Sequence, residues 1–214
     1  MQAQAIDPQV ILNRVIRVLR LDASVFEEVR DDASFLIPSV AVAAICTLLM
    51  GLGGFLWWLV QGFGDKGKVL IESFILGSVF SVALWFVWLG VAYFLITNVF
   101  GGKADFQRMV RTAGIAAAPL AIAVLMLIPL LDFGIGLAAV GLFFFTTTAA
   151  INAAAEADSS KIFMASAAGF AVWAVVLSIL SFKDTYLAPG PFLFESLARA
   201  MSSIVDVSRS FRIG

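Results

Sequence analysis

Few side chains in this sequence have a type and spacing that could support catalysis or metal binding. The chain has no histidine and a single cysteine, Cys46, so the usual nitrogen and sulfur metal ligands are nearly missing. A haem held by histidine is excluded for the same reason. No carboxylates pair inside an apolar stretch: Glu72 is expected to reach lipid headgroups, and Asp132 is expected to cap a helix. The sequence therefore predicts no catalytic residues, no metal and no cofactor.

One polar patch interrupts the fourth apolar stretch of the chain, and it consists of Thr146, Thr147, Thr148 and Asn152. Hydroxyl and amide groups in membrane helices usually bond to nearby backbone carbonyls or bridge to a neighbouring helix. That is the role expected here. The alternative is that the patch lines a substrate path, in which case the protein is a small transporter or channel.

Helices that cross a membrane must position these groups. The chain is 61% hydrophobic and 14% charged, whereas average soluble domains are roughly 45–50% apolar and about 25% charged. Stretches 35–63, 73–100, 112–131, 133–155 and 162–182 carry no charge, and each is long enough to cross a bilayer core about 30 Å thick. The sequence thus predicts an all-α, polytopic membrane helical bundle of five transmembrane helices. A very short turn at Asp132–Gly134 predicts that the third and fourth helices form a hairpin.

The segment before the first span predicts an amphipathic helix. Asp7 followed by Pro8 is a typical helix start, and the arginines Arg14, Arg17 and Arg20 lie on a different face from the apolar residues that follow. This pattern fits an interfacial helix in the headgroup layer. It fits equally a cytoplasmic helix that packs on the loops of its own bundle.

Two further helices are expected outside the spans. Ser24 and Glu27 have the spacing of a capping box, which predicts a second short helix from Val25 to Arg30. After Pro189, apolar residues from Phe194 to Val205 recur at helical spacing and predict an amphipathic C-terminal helix. The expected division is a cytoplasmic N-terminal segment at 1–33, a transmembrane domain at 34–182 and an amphipathic tail at 183–214.

Small residues should let the helices approach closely, because packing rather than hydrophobicity drives helix association in lipid. Pairs four residues apart occur in the third, fourth and fifth stretches. We expect these pairs to pack helices: Gly114 and Ala118, Gly134 and Ala138, and Ala165 and Gly169. Trp57 and Trp58, near the end of the first stretch, fit an interfacial aromatic belt.

Lysine and arginine are more frequent on one side of the predicted spans. That side carries the N-terminal arginines and the loop residues Lys103, Arg108, Arg111 and Lys161, whereas the short loops opposite carry only Lys66 and Lys68. The positive-inside rule then predicts a cytoplasmic N-terminus. Five spans place the C-terminus outside.

Three segments resemble the Ypt-interacting protein (Yip) family. RVLRLDASVFEEVRDD at 17–32 resembles the family's entry segment, FGGKADFQRMVRTAGIAAAP at 100–119 its glycine pair, polar loop and helix start, and LIPLLDFGIGL at 127–137 its turn between spans three and four. Ile115 departs from the pattern, because an aromatic residue is common there. The resemblance implies five spans, a cytoplasmic N-terminus and no enzymatic activity. Composition and compact loops look more like those of a bacterial member in the plasma membrane.

These features favour a non-enzymatic membrane scaffold or accessory subunit. Its expected partners are membrane lipids and other integral membrane proteins or a second copy of itself. The net charge of −1 argues against nucleic acid. Two alternatives stay open: the small transporter or channel, and a lipid-handling or membrane-shaping protein whose amphipathic helices act as wedges.

Overall fold

The computed structural model describes residues 7–62, 65–128, 130–181 and 186–193. Two short helices come first, α1 (Pro8–Leu19) and α2 (Ser24–Arg30). Five long helices follow, which are α3 (Ala33–Gln61), α4 (Lys66–Val99), α5 (Phe106–Leu127), α6 (Asp132–Ala154) and α7 (Ser159–Leu180). Two short strands, β1 (Lys103–Ala104) and β2 (Ala155–Glu156), pair antiparallel between helices.

All five long helices are long and apolar enough to cross a membrane, which confirms the predicted architecture. All five begin before the uncharged stretches that were used to predict them, and the difference is largest for α4 and α5. Helix α4 begins at Lys66 and includes Glu72, and α5 begins at Phe106 and includes Arg111. Charged residues within the first turns of a span can reach the polar interface, so an uncharged stretch underestimates the helix.

Helices α4 and α5 are irregular. Helix α4 contains π-helical segments at Leu70–Gly77 and Leu95–Val99. In α5 the α-helix ends at Ala116, and Ala118–Leu127 is a 3-10 helix with Pro119 in its first turn. Proline lacks the N–H that would continue the α-helical ladder and its ring crowds the preceding turn, which accounts for the end of the α-helix just before Pro119.

Helix α5 lies at the centre of the bundle. Of its most apolar 18-residue stretch, 72% is buried, against 33–44% for the other four long helices. It packs against both α3 and α6, while α4 packs mainly against α7. Aromatic rings join α4 to both α6 and α7: the Trp88 ring lies 5.2 Å from Phe143 of α6 and 5.2 Å from Phe170 of α7, measured between ring centroids.

The connections between long helices are short. Gly101, with φ of +68°, makes the tight turn expected after α4, since glycine adopts this conformation without strain. Helices α5 and α6 pack side by side as the predicted hairpin. At its tip, Leu130 has φ of +73° and is 97% exposed. Pro129 and the predicted C-terminal helix from Phe194 lie outside the described residues.

We call the side of the bundle that carries α1 and α2 the N-side. Asp7 accepts a hydrogen bond from the Gln9 amide at 2.9 Å, and Pro8 opens α1, which confirms the predicted helix start. The capping box was wrong: α2 begins at Ser24 without a side-chain cap. The Ser24 amide and hydroxyl instead donate to Asp22 at 3.1 and 2.6 Å, so Asp22 orders this turn.

Residues 186–193 pack against the opposite end of the bundle. The Ser73 hydroxyl donates to the Ala188 carbonyl at 2.8 Å, and the Tyr186 amide donates to Glu72 at 3.2 Å. The short 3-10 turn Gly190–Phe192 contacts α3, α5 and α6. These contacts hold residues 186–193 against that end of the bundle.

Candidate functional site

The threonine patch spreads around α6 instead of lining one path. The Thr146 hydroxyl donates to Ala116 of α5 at 2.7 Å, while the Thr148 hydroxyl bonds to Ser166 of α7 at 2.7 Å. Thr147 lies between them, fully buried, and its hydroxyl has no hydrogen-bond partner among the described residues. The structure therefore places two of the three threonines as bridges between helices.

Asn152 lies apart from the threonines. It is exposed at the N-side end of α6, where its side-chain oxygen accepts a hydrogen bond from Ser159 at 3.3 Å. About two helical turns separate it from the level of Thr146. The four residues therefore do not come together as one polar site.

The small-residue pairs divide into two kinds. Gly114 and Ala118 are buried in α5, and a Cβ at Gly114 would lie 2.5 Å from the Ser39 carbonyl oxygen of α3. Ala165 and Gly169 are buried in α7. A Cβ at Gly169 would lie 2.6 Å from the Trp88 carbonyl oxygen. Both pairs lie where helices of this chain meet.

Gly134 and Ala138 of α6 do not pack within the described chain, and the expectation of a contact inside the bundle is corrected here. Both are exposed, and a Cβ at Gly134 would meet no atom within 4 Å. The face they share includes Leu137, which is 60% exposed, and Gly141, whose Cβ position is also open. We call these four residues the α6 outer face.

Helix α3 also contains glycines against which other parts of the chain pack closely, and these glycines are not among the predicted small-residue pairs. Gly51 faces Ser78 of α4, and Gly53 faces the Ala123 backbone of α5. A Cβ at Gly54 would lie 2.8 Å from the Gly190 Cα. The signal was present in the sequence as Gly51, Gly53 and Gly54 within one span, since such a cluster predicts close backbone approach.

Trp57 and Trp58 are 2% and 4% exposed, so their rings pack inside the protein rather than facing outward. The Trp57 indole donates to the Asp132 carboxylate, and Trp58 meets Tyr186 edge-on with ring centroids 5.4 Å apart. Asp132 is the first residue of α6, and Leu131 occupies the cap position. The Asp132 carboxylate also accepts a hydrogen bond from the Phe133 amide at 2.8 Å, so it acts at the start of α6 from the first helical residue rather than from the predicted cap position.

The N-terminal arginines are largely neutralised. Arg17 donates to Asp22 at 2.7 Å and to Glu28 at 2.9 Å. These bonds raise the pKa of the Arg17 guanidinium. The bond from Arg17 lowers the pKa of Glu28, and the bonds from Ser24 and then Arg17 lower the pKa of Asp22. Arg17 thus joins α1 to α2 within the protein.

Arg14 also has partners inside the protein, whereas Arg20 is exposed. The Arg14 guanidinium lies 4.4 Å from the centre of the Phe35 ring and 3.4 Å from Asp32. Helix α1 packs against α5 and α2. Its Leu12 and Leu19 are nevertheless 59% and 41% exposed. The helix therefore packs on its own bundle and keeps an unpartnered apolar edge.

The sequence placed Arg111 in a loop and missed its buried contact between two helices. Arg111 is 7% exposed, and it donates two hydrogen bonds to the Arg30 carbonyl at 3.0 and 2.7 Å. Arg30 ends α2, where unpaired carbonyls make a favourable site for a cation. Arg111 therefore attaches α2 to α5. Arg111 lies in the amphipathic first part of α5. The sequence pattern there does not indicate that its side chain is buried.

The chemistry of the described residues matches this structural picture. No group of three or more acidic or cysteine side chains that could hold a metal occurs among them. Cys46 is buried in α3. Several polar groups inside the bundle bond to backbone carbonyls, as Thr112 does to Ala150 at 3.0 Å. Such bonds position helices.

The part of the chain that the structure describes forms seven helices, five of them able to span a bilayer, and these define a polytopic α-helical membrane protein. The Yip1 domain matches residues 16–184, from within α1 to beyond α7. The chain therefore belongs to the Yip1-domain family, and the resemblance found in the sequence is confirmed. No curated protein and no solved structure matches the chain significantly.

Proposed function

We propose that this Yip-family protein is a non-enzymatic scaffold or accessory subunit that binds other integral membrane proteins or a second copy of itself. The observation that carries the proposal is the α6 outer face. It offers two glycines whose Cβ positions are open, together with the exposed Ala138 and Leu137. A surface of this shape lets a second helix approach the backbone closely.

The threonines support this function over transport. A solute path needs polar groups that face a common space. Thr146 and Thr148 instead direct their hydroxyls to α5 and α7. The small transporter or channel is therefore the weaker candidate.

The proposed orientation places the N-side in the cytoplasm and residues 186–193 outside, in a bacterial plasma membrane. Its basis is the excess of lysine and arginine on the N-side, including Lys103, Arg108 and Lys161. We also propose that residues 34–182 form the transmembrane domain, with 1–33 and 183–214 as flanking segments. Reporter fusions at both termini would test this orientation, and equal cytoplasmic signals would contradict it.

Purification in a gentle detergent tests the binding function. We expect the wild-type chain to migrate in a complex larger than one protein–detergent particle. The double variant G134L/A138L should migrate as a single chain, because two leucine side chains would occupy the α6 outer face. Substituting Val79, which is 62% exposed on α4, with leucine is the matched control. A wild-type chain that migrates alone would refute the proposal.

A further inference from the structure

An open apolar groove lies where the corner between α1 and α2 meets α6. It encloses about 130 Å³. Its walls are formed by the end of α1, the start of α2 and one side of α6. The apolar side chains that line it are Val18, Leu21, Ala23, Phe26, Phe145 and Ala149.

The two polar side chains that line the groove are already engaged elsewhere. Asp22 accepts hydrogen bonds from Arg17 and from Ser24. The Thr146 hydroxyl donates to Ala116 of α5. Filling the groove with a polar group would therefore leave that group without a partner. The groove is suited to hydrocarbon.

The groove lies at the depth of acyl chains. Asn152 is exposed at the N-side end of α6. Phe145 lies seven residues before it, which places Phe145 about 10 Å along the helix from that end. In-plane helices bury their apolar side about 5–10 Å into the boundary between headgroups and chains. Phe145 is 63% exposed on a span, so the groove opens onto the surface that faces lipid.

The groove mouth contains a strained residue. Leu21 has φ of +60° and is 64% exposed. A residue other than glycine, asparagine or aspartate is uncommon in this conformation, because its side chain is strained there. Leucine at this corner keeps an apolar wall where glycine would make the turn without strain. Strain of this kind is characteristic of ligand-binding positions.

Charge selects the kind of lipid. Residues 7–32 contain four arginines and six acidic residues, and Arg14 and Arg17 are paired with carboxylates. Arg20, next to Leu21, is exposed. One cation beside the groove suits the phosphate of a single headgroup, while the surrounding excess of acid disfavours a lipid with net negative charge.

We propose that this groove binds one acyl chain of a zwitterionic phospholipid from the N-side leaflet, with Arg20 at the phosphate. Helix α1 thereby holds a specific lipid against α6. The inference does not depend on the proposed binding of other membrane proteins, which uses a different part of α6.

Native mass spectrometry of the purified full chain tests the site. We expect wild-type protein to retain one zwitterionic phospholipid per chain after the detergent wash. A149F fills the groove, so the lipid-bound fraction should fall by about tenfold or more. A171F makes the same substitution on the exposed side of α7 and should retain the lipid.

A second variant guards against a folding defect. L21N keeps a residue that tolerates positive φ and removes the apolar wall, so we expect an intact fold and the same loss of lipid. Equal retention in A149F and wild type, or no retained lipid in wild type, would overturn the proposal. So would a photo-reactive phenylalanine at Phe145 that couples to a polypeptide instead of a phospholipid.

Discussion

Gly114–Ala118 in α5 and Gly134–Ala138 in α6 have the same spacing and opposite surroundings. The first pair is buried against α3, and the second faces outward from the bundle. A sequence pattern therefore reveals that a helix can be approached closely, but the arrangement of helices decides whether its own chain does so. Arginines and threonines allow the same kind of comparison, because residues of one type occur in different surroundings in this protein.

The largest difference is expected between G114A and G134A. A Cβ at Gly114 would lie 2.5 Å from the Ser39 carbonyl oxygen, so α3 and α5 must separate, at a cost of about 3 kcal/mol. At Gly134 no atom obstructs the Cβ, and alanine should stabilise the helix by up to about 1 kcal/mol. Unfolding of both variants in detergent measures these changes. Equal effects would show that the comparison is mistaken.

The second difference concerns arginines on the N-side. Arg111 is buried and donates two hydrogen bonds to Arg30, so R111M should weaken the attachment of α2 by about 2 kcal/mol. Arg108 is exposed and lies 3.5 Å from Asp31, and R108M should cost at most about 1 kcal/mol. Hydrogen exchange in α2 measures both. Faster exchange in R108M than in R111M would contradict the assignment.

A smaller difference is expected between adjacent threonines. The Thr146 hydroxyl bridges to α5, so T146V should destabilise the protein by about 1 kcal/mol. The buried Thr147 hydroxyl has no partner among the described residues, and T147V should be neutral or stabilising. Thermal unfolding of the two isosteric variants provides the measurement. A larger loss in T147V would indicate a polar ligand at Thr147.

The smallest effect is the response to acid. The pKa values of Asp22 and Glu28 are lowered in the folded protein, so their contribution is present above the unfolded pKa of about 4 and decreases below it. The mobility of a spin label at residue 19 should stay constant between about pH 8 and 5 and rise below about pH 4. The R17Q variant should show a smaller rise in mobility, because it lacks the guanidinium that bonds to Asp22 and Glu28. A transition near neutral pH would contradict this account.

The sequence predicted the five spans because uncharged stretches of this length have few other structures available. It also predicted the start of α1 at Asp7 and Pro8, where residue type determines local geometry. The direction in which a helix faces could not be predicted. Apolar residues are not confined to one face of a membrane-spanning helix. The sequence period therefore does not tell which glycine is buried, as Gly114 is, and which is exposed, as Gly134 is.

The candidate site was harder to predict than the fold. The burial of Arg111 depends on α2 folding back over α5, and the groove depends on the corner at Leu21. Both are contacts between distant parts of the chain. A local sequence pattern does not predict such contacts. The pairing of Arg17 with Asp22 and Glu28 was closer to prediction, because opposite charges lie within eleven residues.

Photo-cross-linking from Leu137 in native membranes tests the central claim most directly. A photo-reactive residue at this position, which is 60% exposed on the α6 outer face, should give a discrete adduct with a second polypeptide. The adduct should disappear when Gly134 is replaced by leucine and persist when Val79 is. Only lipid adducts, or a link within the same chain, would contradict the claim that this face binds another membrane protein.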